Sequence, residues 1–413
     1  MSAGPRLGDF FSNRQEAGRA GLPVMSVTMN DSLVLRDDLE RRTDTNLRPD
    51  QHLLVRKGDI AYNMMRMWQG ACGLATADGI VSPAYVVLAP KSVIDSRFAY
   101  HWFKSDRMIY LFWAYSHGLT EDRLRLYFDD FSEIPASAPS LEQQRRIVAV
   151  LDEWDQAIEQ TERLIAAQRR RKTALIQKLL SNLPKRPLLE AAEVWFSGVD
   201  KKSDADESPV LLCNYMDVFH NTRITSKIDF MRATASCSEI KANSLCKNDV
   251  VFTKDSETFA EIAEPTLIAE DIDNLVCGYH LAVARPRKGA GHGPFIAQAM
   301  RHQEIRWQFC RLANGVVRFG LTLDAIKQAK IFLPGMQLQE QIAEVLDSED
   351  FIIETLVQRE QTLRAQKRGL MQKLLTGEWP IYSNNADRSA DCVKRVDANK
   401  YIDVNDHSNE KPQ

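Results

Sequence analysis

The chain matches itself at an offset of 195 residues. Pro139-Ser-Leu-Glu-Gln-Gln-Arg-Arg-Ile147-Val-Ala-Val150-Leu-Asp152 answers without a gap to Pro334-Gly-Met-Gln-Leu-Gln-Glu-Gln-Ile342-Ala-Glu-Val345-Leu-Asp347, and Gln177-Lys-Leu-Leu180 to Gln372-Lys-Leu-Leu375. A period of about 200 residues is far too long for a solenoid, so what is doubled is a whole domain followed by its own helix. Lys57-Gly58-Asp59-Ile60 pairs more weakly with Lys247-Asn248-Asp249-Val250, and the apolar run Tyr85 to Pro90 with Leu281 to Pro286. Alike helices carrying diverged domains suit a device that holds two different readers in fixed relation.

Both conserved stretches have helical periodicity. In the first, Ile147, Leu151, Trp154, Ile158, Ile165, Leu175 and Leu179 alternate three and four apart, with an interruption at Gln168 to Lys172. In the second, the positions are Ile342, Leu346, Ile353, Leu356, Leu363, Leu370 and Leu374. Each stretch starts just after a proline, Pro139 or Pro334, and the second stops at Thr376-Gly377. A narrow apolar seam needs a partner, and the other copy supplies it. Ile147, Leu151, Ile158 and Leu179 are therefore expected to pair with the seam of Ile342, Leu346, Ile353 and Leu374.

The direction of pairing follows from length. About 40 helical residues make a rod of roughly 60 Å. A domain of about 150 residues is roughly 40 Å across and cannot span the ends of two parallel rods. The expectation is a mixed α/β (α+β) chain with two recognition domains and two long helices paired as an antiparallel coiled coil with an approximate two-fold axis. Its parts are a first domain over 1–140, a central helix over 141–181, a second domain over 187–334, a C-terminal helix over 337–376, and a polar tail over 381–413 whose composition predicts disorder.

Composition narrows the class. A chain of 413 residues with 44% apolar content buries real cores. No apolar run reaches the roughly 18 residues of a membrane span, and no signal peptide opens the chain, so the cytoplasm is the expected location. The seven cysteines (Cys72, Cys213, Cys237, Cys246, Cys277, Cys310 and Cys392) contain no Cys-x-x-Cys pair and read as reduced thiols, not a zinc site. Net charge is −3, yet Arg163 to Arg186 contains eight basic residues and no acid, which suits either a solvated helix face or a phosphate-facing patch.

Catalytic patterns are missing. Gly289-Ala-Gly291-His-Gly293 lacks the Lys-Ser/Thr of a phosphate loop and reads as a turn. No amino-methyltransferase motif, nucleophile triad or metal-binding histidine pair stands out. Recognition candidates are better: Asn63, Arg66 and Gln69 follow Lys57-Gly58-Asp59, and Lys254, Ser256 and Thr258 follow Lys247-Asn248-Asp249, at equivalent places in the repeat. Arg suits guanine, Asn and Gln suit adenine, and Lys, Ser and Thr suit phosphate or base edges. An ordinary polar loop over a Met/Trp core would have the same composition.

The Pro-x-x-x-x-Gln-x-x-Ile-x-x-Val-Leu-Asp starts at Pro139 and Pro334 and the Gln-Lys-Leu-Leu-(Ser/Thr) ends at Gln177 and Gln372 resemble the specificity subunits of Type I restriction–modification enzymes. Gly79-Ile-Val-Ser82-Pro-Ala-Tyr85, Leu188 to Val194 and Phe196 to Lys202 are also similar to that family's target-recognition domains, and the resemblance runs from about Arg6 to Trp379. It implies a non-catalytic subunit whose domains each read one half of a bipartite double-stranded DNA site. It further implies helices that set the spacing and dock two modification subunits. S-adenosylmethionine would then belong to those partners and ATP to an accompanying restriction or motor subunit, with no cofactor in this chain. The alternative from another class is a two-headed coiled-coil scaffold that binds protein.

Overall fold

The computed structural model describes residues 4–29, 33–39, 47–120 and 123–379; the expected disordered tail and Cys392 lie outside the described residues. The chain divides into two compact units, Met1–Glu159 with Gln361–Gln413, and Gln160–Glu360.

The first unit is built on a four-stranded antiparallel sheet ordered Phe11–Asn13, Tyr85–Pro90, Ile60–Asn63, Cys72–Leu74. Alternation along its strands separates two cores. Ile60, Tyr62, Val86 and Leu88 face an aromatic-rich cluster with Phe11, Phe98, Phe103, Phe112 and Phe131, whereas Ala61 and Val87 face a smaller cluster with Met25, Val55 and Val81. Helices Ser96–Phe103, Asp106–Ala114 and Phe128–Glu133 supply the aromatic side.

The second unit repeats that order with Ala192–Phe196, Leu281–Pro286, Val250–Thr253 and Pro265–Ile268, and adds Arg223–Ile224 at the edge. Val250, Phe252, Ala282 and Ala284 face one core, and Val251, Leu281 and Val283 the other. A further sheet places Ser208–Cys213 between Met231–Ala235 and Leu275–Cys277. The weak flanking repeats are thus the same two neighbouring strands in each unit.

The repeated Lys-x-Asp is a turn. Its middle residue is left-handed in both copies, Gly58 at φ 93° and Asn248 at φ 74°, a conformation that Gly adopts freely and Asn tolerates best among the rest. The buried Asp59 then receives the Arg56 N–H at 2.8 Å and a two-pronged contact from Arg14, at 2.7 and 3.2 Å. Asp249 does the same with the Cys246 N–H at 2.9 Å and Arg285, at 2.9 and 2.6 Å. Each carboxylate's hydrogen bonds hold its arginine's pKa above the ordinary value.

The long helices are Leu141–Leu180 and Met336–Leu375. Their contacts inside each unit are antiparallel. In the first unit Ile147, Val148 and Leu151 share a core with Met371 and Leu374, and in the second Ile176 and Leu180 share one with Ile342, Ala343 and Leu346. Leu179 packs half-buried on the latter, Ile158 is buried, and Ile353 is half-buried. Leu151 and Leu346 belong to the domain cores as well as to the seam, so the helix starts are integral parts of the domains.

The interruption at Gln168 to Lys172 is filled by polar contacts. Lys172 and Asp350 form a buried ion pair, Gln298 donates to Asp350 at 2.7 Å and to Asp347 at 3.2 Å, and Gln168 and Arg171 both reach Glu349. Burial holds the Lys172 ammonium below its ordinary pKa despite the attached carboxylate.

Candidate nucleic-acid interface

In the first unit the strand Ile60–Asn63 ends in a built loop. The Asn63 side-chain oxygen accepts the Met65 N–H at 3.0 Å, and its backbone carbonyl accepts the Arg66 N–H at 3.0 Å. Buried Met67 anchors the loop, and Gly70, at φ 85°, closes it by donating to the Met67 carbonyl at 2.7 Å. Arg66 and Gln69 are left pointing outward. Neither side chain makes a hydrogen bond or ion pair among the described residues. Asn63 is half-buried, with its oxygen committed to the turn.

The corresponding loop of the second unit differs. Lys254 is only 15% exposed at its side chain; its ammonium pairs with Asp255 at 3.3 Å and lies 5.2 Å from the ring centres of both Phe196 and Tyr279. Buried Ser256 donates to Glu261 at 2.9 Å and accepts the Thr258 N–H at 3.1 Å. His280 holds Asp255 from the other side at 2.7 Å. These groups spend their polar capacity inside the domain, which leaves Glu257 and Thr258 outward. Composition cannot separate an outward lysine from one enclosed by two rings contributed by residues 58 positions before and 25 after it in the chain.

Other sequence candidates are structural. A Cβ at Gly291 would collide with the Ala191 carbonyl and one at Gly293 with the Asn248 carbonyl, so the glycine cluster is a tightly packed turn rather than an open cradle. Within the basic stretch, Arg171, Lys172 and Lys185 carry acidic partners, whereas Arg169 and Arg170 are exposed. His101, Asp152 and Asp155 lie close enough for one metal ion. However, Arg97 already pairs with Asp152 and Lys367 with Asp155, so the charge is balanced. The counterpart group in the second unit is Gln298, Asp347, Asp350 and Lys172, which is closed by hydrogen bonds. Burial pushes the His101 pKa down to about 4, which leaves the ring neutral.

The arginines that clamp Asp59 and Asp249 were not singled out by motif, since Arg14 lies 45 residues before its partner and Arg285 lies 36 after. No described helix is long and apolar enough to cross a membrane.

Comparison with known proteins agrees with this architecture. The family described as "Type I restriction modification DNA specificity domain" matches residues 36–167. A solved structure described as the structural basis of complex assembly and conformational transition of the type I R-M system is 15% identical, with 90% of this chain and 96% of that chain covered and a TM-score of 0.55. The Type I restriction–modification S subunit from M. genitalium is 16% identical, with 89% and 94% covered and a TM-score of 0.51. At such identity these two establish the fold. The family match ends inside the first long helix, whose start recurs 195 residues later, so residues 36–167 are similar to a Type I restriction modification DNA specificity domain and the chain as a whole shares the fold of these two solved structures.

Proposed function

We propose that this chain gives a Type I restriction–modification complex its DNA sequence preference, each domain reading one half of a bipartite double-stranded site. The observation that carries the reading is the pairing of a common frame with unlike tips. Both units place the same strand order and the same Asp–Arg clamp behind a loop that presents Arg66 and Gln69 in one case and Glu257 and Thr258 in the other. Arg and Gln hydrogen-bond guanine and adenine, whereas Glu accepts from cytosine and Thr serves several bases, so the two tips suit different half-sites.

Two modification subunits, which carry S-adenosylmethionine, dock on the long helices in this reading, and an ATP-driven restriction subunit adds to them. Exposed Phe351 and Ile352, which line a cleft of about 710 Å³, support a protein contact on the second helix. The helices also set the distance between half-sites. The test is a gel shift of the complex reconstituted with modification subunits, followed by sequencing of methylated adenines in a host with and without this gene. Binding without sequence preference, or an unchanged methylation pattern, would overturn the proposal and leave the protein-binding scaffold.

A further inference from the structure

Each domain carries a second loop fastened to its reading loop. In the first unit, helix Asp106–Ala114 is followed by a loop that His117 and Arg125 close with two backbone hydrogen bonds of 2.9 Å. Just beyond it, the Leu126 N–H donates to the Met64 carbonyl of the reading loop at 3.0 Å. In the second unit, helix Gln303–Leu312 is followed by a loop that Asn314 and Gly320 close at 2.9 and 2.8 Å, and Leu321 donates to the Lys254 carbonyl at 2.9 Å. Leu126 and Leu321 are themselves separated by the repeat offset of 195. Phe319–Gly320 also forms a short ladder with Asp255–Ser256.

Both loops turn on a glycine that cannot be replaced, since Gly315 sits at φ 136° and a Cβ at Gly118 would meet the Arg123 backbone. Immediately after it, each displays aliphatic side chains to solvent: Leu119 is 99% exposed, Val316 92% and Val317 86%. A single exposed leucine is unremarkable in a protein. Recurrence at the equivalent place in two diverged domains, beside the reading loop each time and with an exposed Arg123 or Arg318 in the same loop, is not explained by packing within the domain.

The geometry points to these loops as a second pair of DNA-contacting elements, resting on the proposed DNA-reading function. The aliphatic tip enters the groove beside the reading loop and covers thymine methyl groups, as apolar side chains do, and the arginine meets the flanking phosphate. The second loop contains Arg318 and no acid, whereas the first also contains Glu121 and Asp122 in sequence. The occupant is double-stranded DNA.

The test uses the complex reconstituted with modification subunits, with Val316→Ser/Val317→Ser, Leu119→Ser and Arg318→Ala variants titrated on cognate duplexes and on duplexes altered in one half-site. Because the replaced side chains are exposed, assembly and melting temperature should stay at wild-type values. The valine pair should weaken cognate binding about tenfold and blunt discrimination at one half-site only, Leu119→Ser should do so at the other, and Arg318→Ala should lower the salt dependence of binding. Unchanged affinity and discrimination in the loop variants, with Arg66→Ala still relaxing its half-site, would overturn the inference and leave the DNA-reading function standing. Loss of assembly would also overturn it by assigning the loops to a protein contact. A wild-type complex without sequence preference would remove both.

Discussion

Lys172 of the first long helix is paired with Asp350 of the second, and 195 residues on the same pairing recurs with the helices exchanged, Lys367 on Asp155. An antiparallel pair of duplicated helices makes such reciprocal contacts. Their settings differ: both partners are buried in the first pair, whereas the Asp155 side chain is 49% exposed in the second.

Lys172→Met should therefore be costly. It leaves Asp350 in the interior with Gln298 as its remaining donor, and losing one partner of a buried pair costs about 3–5 kcal/mol. Lys367→Met should cost about 1 kcal/mol or less, because exposed pairs contribute little. Amide exchange across 160–180 and 336–360 reads the first effect, and Lys172→Met with Asp350→Leu should restore most of the protection. Equal losses from the two single variants would contradict the difference in burial.

Gln144 and Gln339, the glutamines of the repeated motif, make equivalent hydrogen bonds. Gln144 donates to the Pro139 and Val93 carbonyls at 2.8 and 3.2 Å and accepts the Asp95 N–H at 2.8 Å. Gln339 donates to Pro334 and Ala290 at 2.9 and 3.0 Å and accepts from His292 at 3.0 Å. Each locks a helix start to its domain, and alanine at either place leaves partly buried backbone groups unpaired, at roughly 1 kcal/mol each. Gln144→Ala should lower exchange protection in the first unit and Gln339→Ala in the second; a loss in the opposite unit would refute the assignment.

His101 should make stability depend on pH. Its pKa is about 4 in the fold against an ordinary 6.5, so between those values the unfolded chain binds more protons. Stability then rises with pH across this window and is lost as pH falls from about 6.5 toward 4, by up to about 3 kcal/mol. His101→Gln, which copies Gln298 of the other unit, should flatten the melting-temperature profile over that range. Parallel profiles for the two proteins would show that His101 does not titrate this way.

Arg66→Ala should relax one half-site by about 1–3 kcal/mol per lost bidentate contact. Lys254→Ala should impair the other half-site through loop geometry without changing the salt dependence of binding, since its ammonium lies between two rings and Asp255. A reduced salt slope for Lys254→Ala, measured by titration at several ionic strengths, would mean that this lysine reaches phosphate after all.

If the helices act as a ruler, lengthening both should widen the gap between half-sites. Four residues inserted after Glu159 and four after Glu360 fall at the boundaries between the units and leave the contacts inside each one intact. Each helix grows by roughly 6 Å, or one to two base pairs at about 3.4 Å per base pair along one strand. The methylome should show the same half-site bases around a wider gap. Altered bases with an unaltered gap would end the ruler idea.

The duplication, the two long helices and the place of a loop after each Lys-x-Asp were legible in the chain because all are local or periodic, and the antiparallel pairing followed from the length of the rods against the width of a domain. A seam shows as spacing along one helix, and a left-handed turn shows as Gly or Asn at one position. The motif glutamine was visible for the same reason, although its role was not, since two of its three partners lie about 50 residues away.

What side chains do at the candidate interface was decided only by tertiary contacts. Arg66 and Lys254 occupy similar places after similar strands, yet one is free and the other is enclosed by Phe196, Tyr279 and Asp255. The gap in the helical seam became a buried polar cluster because Gln298 and Asp350, distant in sequence, converge on Lys172. The exposed tips at Leu119 and Val316 likewise had no signature, because an aliphatic residue in a sequence implies burial by default and only the packed domain shows them left open among the described residues. Local conformational preference is written residue by residue along the chain, whereas burial and charge pairing depend on which distant residues the fold brings together.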